Sequence, residues 1–116
     1  MKVWAGIVTY NPDLERLKEN IDSIYNQISK LVIFDNGSNN YDEIFELSNT
    51  YAHIKLIKSD ANKGLAYGLN VICADAYYKN ADWILLLDQD SVSDEKCILE
   101  YSKYIDLDDA AILSPI

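Results

Sequence analysis

Apolar, β-branched runs alternate with segments of helical periodicity along almost the whole chain, and that alternation restricts the fold more than any other feature. Residues 3–10 form the first run. Asn11-Pro12-Asp13 ends it, offering a helix cap, a proline at the first helical position and an early acid. Leu14, Leu17, Ile21, Ile24 and Ile28 then recur at spacings of three and four, which puts them on one buried helix face. A second strand is expected over 31–35, a turn over 36–40, a short helix over 41–49 and a third strand over 54–58. That third strand is short and polar, so it belongs nearer a sheet edge. Residues 65–79 read as helix and 83–87 as a fourth strand; a helix capped by Ser91 or Ser93 runs to about 105, and 110–113 form a fifth strand. Parallel strands need crossovers, and right-handed crossovers dominate, so the expected architecture is α/β: a Rossmann-like, mostly parallel sheet with helices on both faces.

A chain of 116 residues has room for one core. Its hydrophobic share of 49% and charged share of 25% describe an ordinary globular domain. The net charge of −9 argues against nucleic acid or an anionic membrane surface as a partner. A diphosphate would be repelled by the same field, so a local cation has to offset it. Cys73 and Cys97 lie in apolar helical patterns without metal-ligand spacing, as buried free thiols of a reducing compartment do. The chain enters a strand at once, and no apolar run nears membrane-spanning length. A cytoplasmic location without direct membrane insertion is expected.

In open parallel sheets, ligands bind beyond the carboxyl ends of the strands. Each polar cluster of this chain falls at such an end: Tyr10-Asn11, Asp35-Asn36-Gly37-Ser38, Ser59-Asp60 with Asn62-Lys63-Gly64, and Asp88-Gln89-Asp90-Ser91. The last directly follows the most apolar run, Trp83-Ile84-Leu85-Leu86-Leu87. Carboxylates two positions apart behind a buried strand repel each other unless a cation lies between them, and oxygen ligands favour Mg²⁺ or Mn²⁺ over zinc. The first strand-to-helix turn, Thr9-Tyr10-Asn11-Pro12-Asp13, has none of the glycines of a dinucleotide fingerprint or a phosphate loop. Gly64-Leu65-Ala66-Tyr67-Gly68 carries glycines four apart, which in an amphipathic helix points to close packing.

Taken in order, Val8-Thr9-Tyr10-Asn11, Phe34-Asp35-Asn36-Gly37-Ser38, Asn62-Lys63-Gly64 through Asn70, and Asp88-Gln89-Asp90-Ser91 resemble the nucleotide-sugar half of family 2 glycosyltransferases with the GT-A fold. The Asp-Gln-Asp-Ser form behind an Asn-x-Gly is similar to bacterial rhamnosyltransferases. The resemblance implies that Thr9, Tyr10 and Asn11 lie around the base and ribose, and that Asp35 accepts a hydrogen bond from the base. It also implies that Asn62 and Gly64 shape the nucleotide pocket. Asp88 and Asp90 match the metal-binding DxD pair, Asp90 for direct contact with Mn²⁺ or Mg²⁺ and Asp88 for ribose or metal, with Gln89 the variable middle position. The resemblance implies inverting transfer from a nucleotide-diphospho-sugar, with dTDP-rhamnose the donor it suggests, to a saccharide or lipid-linked acceptor in polysaccharide assembly. The acceptor half and the catalytic base are expected beyond Ile116, with residues 1–116 read as the donor-binding portion of a longer enzyme; a naturally short protein that kept only that half is the alternative.

Other residues carry plainer readings. His53 is expected to flank a strand, Trp4 and Trp83 to be core, and Tyr77, Tyr78, Tyr101 and Tyr104 to be half-buried packing residues. Lys63 is either a phosphate contact or a solvated loop lysine, and Tyr10 is a candidate for stacking on the base. A phospho-receiver domain would need acids after the first strand and an aspartate to phosphorylate after the third, which Tyr10-Asn11 and Ser59-Asp60 fit poorly. A nucleotidyltransferase would need a glycine-rich, basic first loop. A noncatalytic nucleotide-binding or assembly module is the alternative that stays open.

Overall fold

A computed structural model describes residues 2–90 and the backbone of 111–113. The elements are β1 (Val3–Thr9), α1 (Leu14–Ile24), β2 (Lys30–Asp35), α2 (Tyr41–Asn49), β3 (Ile54–Lys58), α3 (Leu65–Tyr78), β4 (Trp83–Leu87) and β5 (Ala111–Leu113). The helix expected after Ser91, with Cys97, Tyr101 and Tyr104, lies outside the described residues. All neighbouring strands pair in parallel in the order β3-β2-β1-β4-β5, which puts β3 at an edge as its polarity implied. The expected α/β fold is present.

Strand side chains divide by parity, because successive residues point to opposite faces of a sheet. Ala5, Ile7, Leu31, Ile33, Leu85 and Leu87 pack with Leu17, Ile21 and Ile24 of α1 and Ile44 of α2. Trp4, Val32, Phe34 and Ile84 pack with Ile72 and Ala76 of α3 on the other side. Both faces are covered, which is why the strands read as continuous apolar runs. Trp4 and Trp83 are core residues, and His53 is exposed just before β3 with its ring stacked on Tyr25.

α1 begins two residues later than its sequence suggests. Asp13, not Asn11, is the cap: its Oδ1 accepts from the amides of Glu15 and Arg16 at 3.0 and 3.2 Å. Asn11 sits instead at φ 45° and joins the loops above the sheet. The helix also closes earlier, giving way after Ile24 to a 3₁₀ turn over Tyr25–Gln27, so that Ile28 packs on the core from outside it.

α3 lies close on the sheet because Gly68 lets it. A Cβ there would stand 2.8 Å from Val8 Cγ2 and 2.9 Å from Phe34 Cδ1, so the glycine spacing does reflect packing. Asn80, at φ 61°, ends the helix: its amide donates to Tyr77 O and that of Ala81 to Ala76 O, satisfying the last carbonyls. Tyr77 and Tyr78 correct the sequence reading, being 72% and 79% exposed. Ala76 takes the sheet contact, and the following two positions turn away from it around the helix. Cys73 is a half-buried free thiol whose pKa burial pushes up. Among the described residues no helix is long and apolar enough to cross a membrane.

Candidate functional site

β1 and β4 are adjacent, yet the chain leaves β1 toward β2 on one side and β4 toward β5 on the other. This is the switch point of the sheet, where a crevice opens at the carboxyl ends of the strands. The ladder between the two strands ends at Ile7 and Leu87, and the loops diverge beyond it. A cleft of about 730 Å³ occupies the gap, within the size range of small-molecule sites. Val8, Leu65, Leu69, Leu86 and Leu87 make its apolar surface; Tyr10, Asn36, Asn62, Asp88, Gln89 and Asp90 supply its polar groups.

Of the residues singled out in the sequence, Tyr10, Asn62, Asp88 and Asp90 are brought together on this cleft. Thr9, Asn11, Asp35 and Gly64 are not in its lining; they stand behind it and hold its loops. Asp35 is fully buried at the end of β2. Its Oδ1 accepts from the Thr9 hydroxyl at 2.8 Å and the Ser38 hydroxyl at 2.6 Å, and its Oδ2 accepts from the Ser38 amide at 3.0 Å. Asn11 extends this lacing: its amide donates to Ser38 Oγ, and its Oδ1 accepts from the Asn39 amide. The ends of β1 and β2 are thus one hydrogen-bonded unit.

The loop before α3 is fixed by Asn36, which is 2% exposed. Its Nδ2 donates to Gly64 O at 3.1 Å and its Oδ1 accepts from the Lys63 amide at 2.9 Å, while Asn62 Oδ1 accepts from the Gly64 amide at 2.8 Å. Gly64 has φ 89° and ψ 160°, a region open in practice to glycine alone, and a Cβ there would meet nothing within 4 Å. Its requirement is therefore conformational, not steric. α3 starts at once, without a side-chain cap or an acid in its first turn, so its positive dipole end stays uncompensated beside the cleft wall that Leu65 and Leu69 form. Lys63 points its ammonium at the Tyr67 ring, 5.0 Å from the centroid, and is not among the lining residues.

Asp88 and Asp90 are exposed, and among the described residues neither carboxylate has a hydrogen-bond or ion-pair partner. Gln89 between them is bonded to the main chain of Tyr10, and the buried Asn20 of α1 donates to the Asp88 carbonyl at 2.7 Å. No group of three or more acidic, histidine or cysteine side chains able to hold a metal occurs among the described residues. An all-protein cage is thus not offered there. Two carboxylates on one cleft, without partners among the described residues, do suit a hard divalent ion that completes its shell with phosphate oxygens and water.

Sequence comparison gives this geometry its context. The pattern described as Glycosyl transferase family 2 matches residues 4–116. The chain belongs to glycosyl transferase family 2. A relative within reach of this family 2 chain is the "dTDP-rhamnosyl transferase RfbF" of Shigella flexneri, 33% identical over 117 residues. That match takes in 98% of this chain and 38% of the relative, so the family 2 chain spans well under half of that protein's length. No solved structure matches it significantly.

Asn36 and Gln89 are the cleft residues whose roles sequence reasoning missed. Each sits inside a motif already noted, and a carboxamide flanked by acids or glycine at a strand end is the signal that was available.

Proposed function

We propose that the cleft binds a nucleoside-diphosphate sugar together with Mn²⁺ or Mg²⁺, as the donor site of a glycosyltransferase. The observation that carries this is the pairing of two carboxylates, without partners among the described residues, with an exposed aromatic ring on one cleft at the sheet's switch point, in a member of glycosyl transferase family 2. Tyr10, 46% exposed, offers its ring face to the base and Asn62 its Nδ2 to base or ribose, while Asn36, whose carboxamide is engaged by Lys63 and Gly64, holds the loop in place. Asp88 and Asp90 hold the ion. When bound, the ion supplies Lewis-acid stabilisation to the departing diphosphate. The apolar surface from Leu65, Leu69 and Leu86 keeps water from the donor, and the uncapped start of α3 favours negative charge nearby.

The name of the Shigella relative supports dTDP-rhamnose as the donor. An acceptor hydroxyl of a saccharide or lipid-linked glycan, attacking the face opposite the diphosphate with help from a carboxylate base beyond Ile116, inverts the anomeric carbon. Asp35, Thr9 and Asn11 serve this reaction by keeping the base-facing loops in place. Calorimetric titration of the chain with dTDP and with UDP, with and without Mn²⁺ at constant ionic strength, tests the reading. Binding that requires Mn²⁺ supports it, with dTDP preferred for the rhamnosyl donor. Equal heats with and without the ion, or none at all, would sink it.

A further inference from the structure

Where β1 and β4 part, the Gln89 side chain spans the opening. Their ladder stops at Ile7 and Leu87; continued in register it would set residue 8 beside 88, 9 beside 89 and 10 beside 90. The strands instead splay apart and the cleft forms between them. Gln89 bridges this gap with both ends of its carboxamide: Oε1 accepts from the Tyr10 amide at 2.9 Å, and Nε2 donates to the Tyr10 carbonyl at 3.3 Å. A primary amide has one acceptor and one donor side, so it can satisfy the N–H and the C=O of one residue together, as no single residue of a parallel neighbouring strand does. Asn20 steadies the other end, its Nδ2 donating to the Asp88 carbonyl from a fully buried position.

We infer that Gln89 is a positioning residue, a strut that fixes the Tyr10 ring relative to the carboxylates of Asp88 and Asp90. The inference rests on the donor-site reading above, since it concerns the distance between a base-stacking ring and a diphosphate-binding acidic turn. A long, flexible side chain is ordered here by its two bonds to one residue, and that residue carries the exposed ring. The bonds go to main chain, so Gln89 leaves the Tyr10 ring open to a ligand. Gln89 does not touch the reacting atoms in this account. It acts through Tyr10.

Gln89→Met keeps the length and bulk of the side chain and removes both hydrogen bonds. With Mn²⁺ present, its affinity for dTDP is expected to fall about tenfold, while its affinity for Mn²⁺ alone stays within about twofold, because Asp88 and Asp90 share one turn and keep each other's company. In a Tyr10→Ala background, the same Gln89→Met change is expected to cost less than about threefold, since no ring is left to misplace. Hydrogen exchange of the Tyr10 amide, measured without ligand, should quicken in Gln89→Met. A merely structural residue would lower stability without splitting dTDP from Mn²⁺ affinity or coupling to Tyr10. Unchanged dTDP affinity, an equal loss in both backgrounds, a matching loss of Mn²⁺ affinity, or unaltered Tyr10 exchange would each overturn the inference while the donor-site reading stands. A wild-type chain that binds no dTDP overturns both.

Discussion

Replacing Asp35 by alanine removes three hydrogen bonds at once, two from hydroxyls and one from an amide, all to a buried carboxylate. Bonds to a charged group are each worth about 1.5–3 kcal/mol net, and a buried donor left without a partner costs about 1–3 kcal/mol. Thr9 is fully buried, so its hydroxyl is stranded; Ser38 is only half-buried, so its amide and hydroxyl recover water. Discounting the Ser38 contributions for that recovery leaves a loss of about 3 kcal/mol. For a domain of this size such a loss lowers Tm by roughly 10–15 °C. Asp35→Asn should behave differently. Its remaining oxygen keeps the Ser38 amide, and its NH₂ group faces two hydroxyls that can rotate to accept, so a cost of about 1 kcal/mol is expected. Urea unfolding followed by circular dichroism separates the two variants without any ligand. An alanine variant within about 0.5 kcal/mol of wild type would refute the lacing of β1 to β2 through this carboxylate.

Gly64→Ala should lose about 1–3 kcal/mol of stability despite the open space around it, because its φ of 89° and ψ of 160° exclude a Cβ-bearing residue; a neutral result in thermal melts would show that the loop relaxes freely. At the far side of α1, the Lys18 ammonium and then the Tyr51 hydroxyl hold the Asp22 carboxyl below its ordinary value of 3.8. A depressed folded-state pKa stabilises the fold above that ordinary value and ceases to do so as pH falls through the lowered one. Asp22→Asn should therefore flatten the acid limb of the stability curve below about pH 4, by a small amount since the Asp22 side chain is 48% exposed, and an unchanged acid limb would remove Asp22 from the account.

Much of this arrangement is legible in the sequence, for reasons that can be named. Strands buried on both faces must be apolar throughout, so 3–9, 30–35 and 83–87 announce themselves, and β/α alternation leaves few topologies open. Once the strands are placed, Asp88 and Asp90 fall at a carboxyl end by position alone. Local pattern says less where a residue bonds far along the chain. Asn11 is a good cap by type, but the Ser38 hydroxyl and the Asn39 amide claim it and Asp13 takes the helix. Gln89 looks interchangeable between two acids until Tyr10, 79 positions earlier, is set against it. Asn36 is similar, since the backbone it holds lies 27 and 28 positions on. Tyr77 and Tyr78 mislead in the opposite direction: their apolar bulk fits a packing role, but the helix rotation at Ala76 sends both outward.

The central claim is that Asp88 and Asp90 mark where a divalent cation joins a nucleotide diphosphate to this sheet. Paramagnetic line broadening of backbone amide resonances by trace Mn²⁺ in the presence of dTDP tests it residue by residue. The account predicts broadening centred on residues 88–90, reaching Tyr10 and Asn62 across the cleft and sparing the groove lined by Glu15, Glu43 and Glu46 between α1 and α2. Broadening centred on that second groove, or spread evenly over the acidic surface, would contradict it.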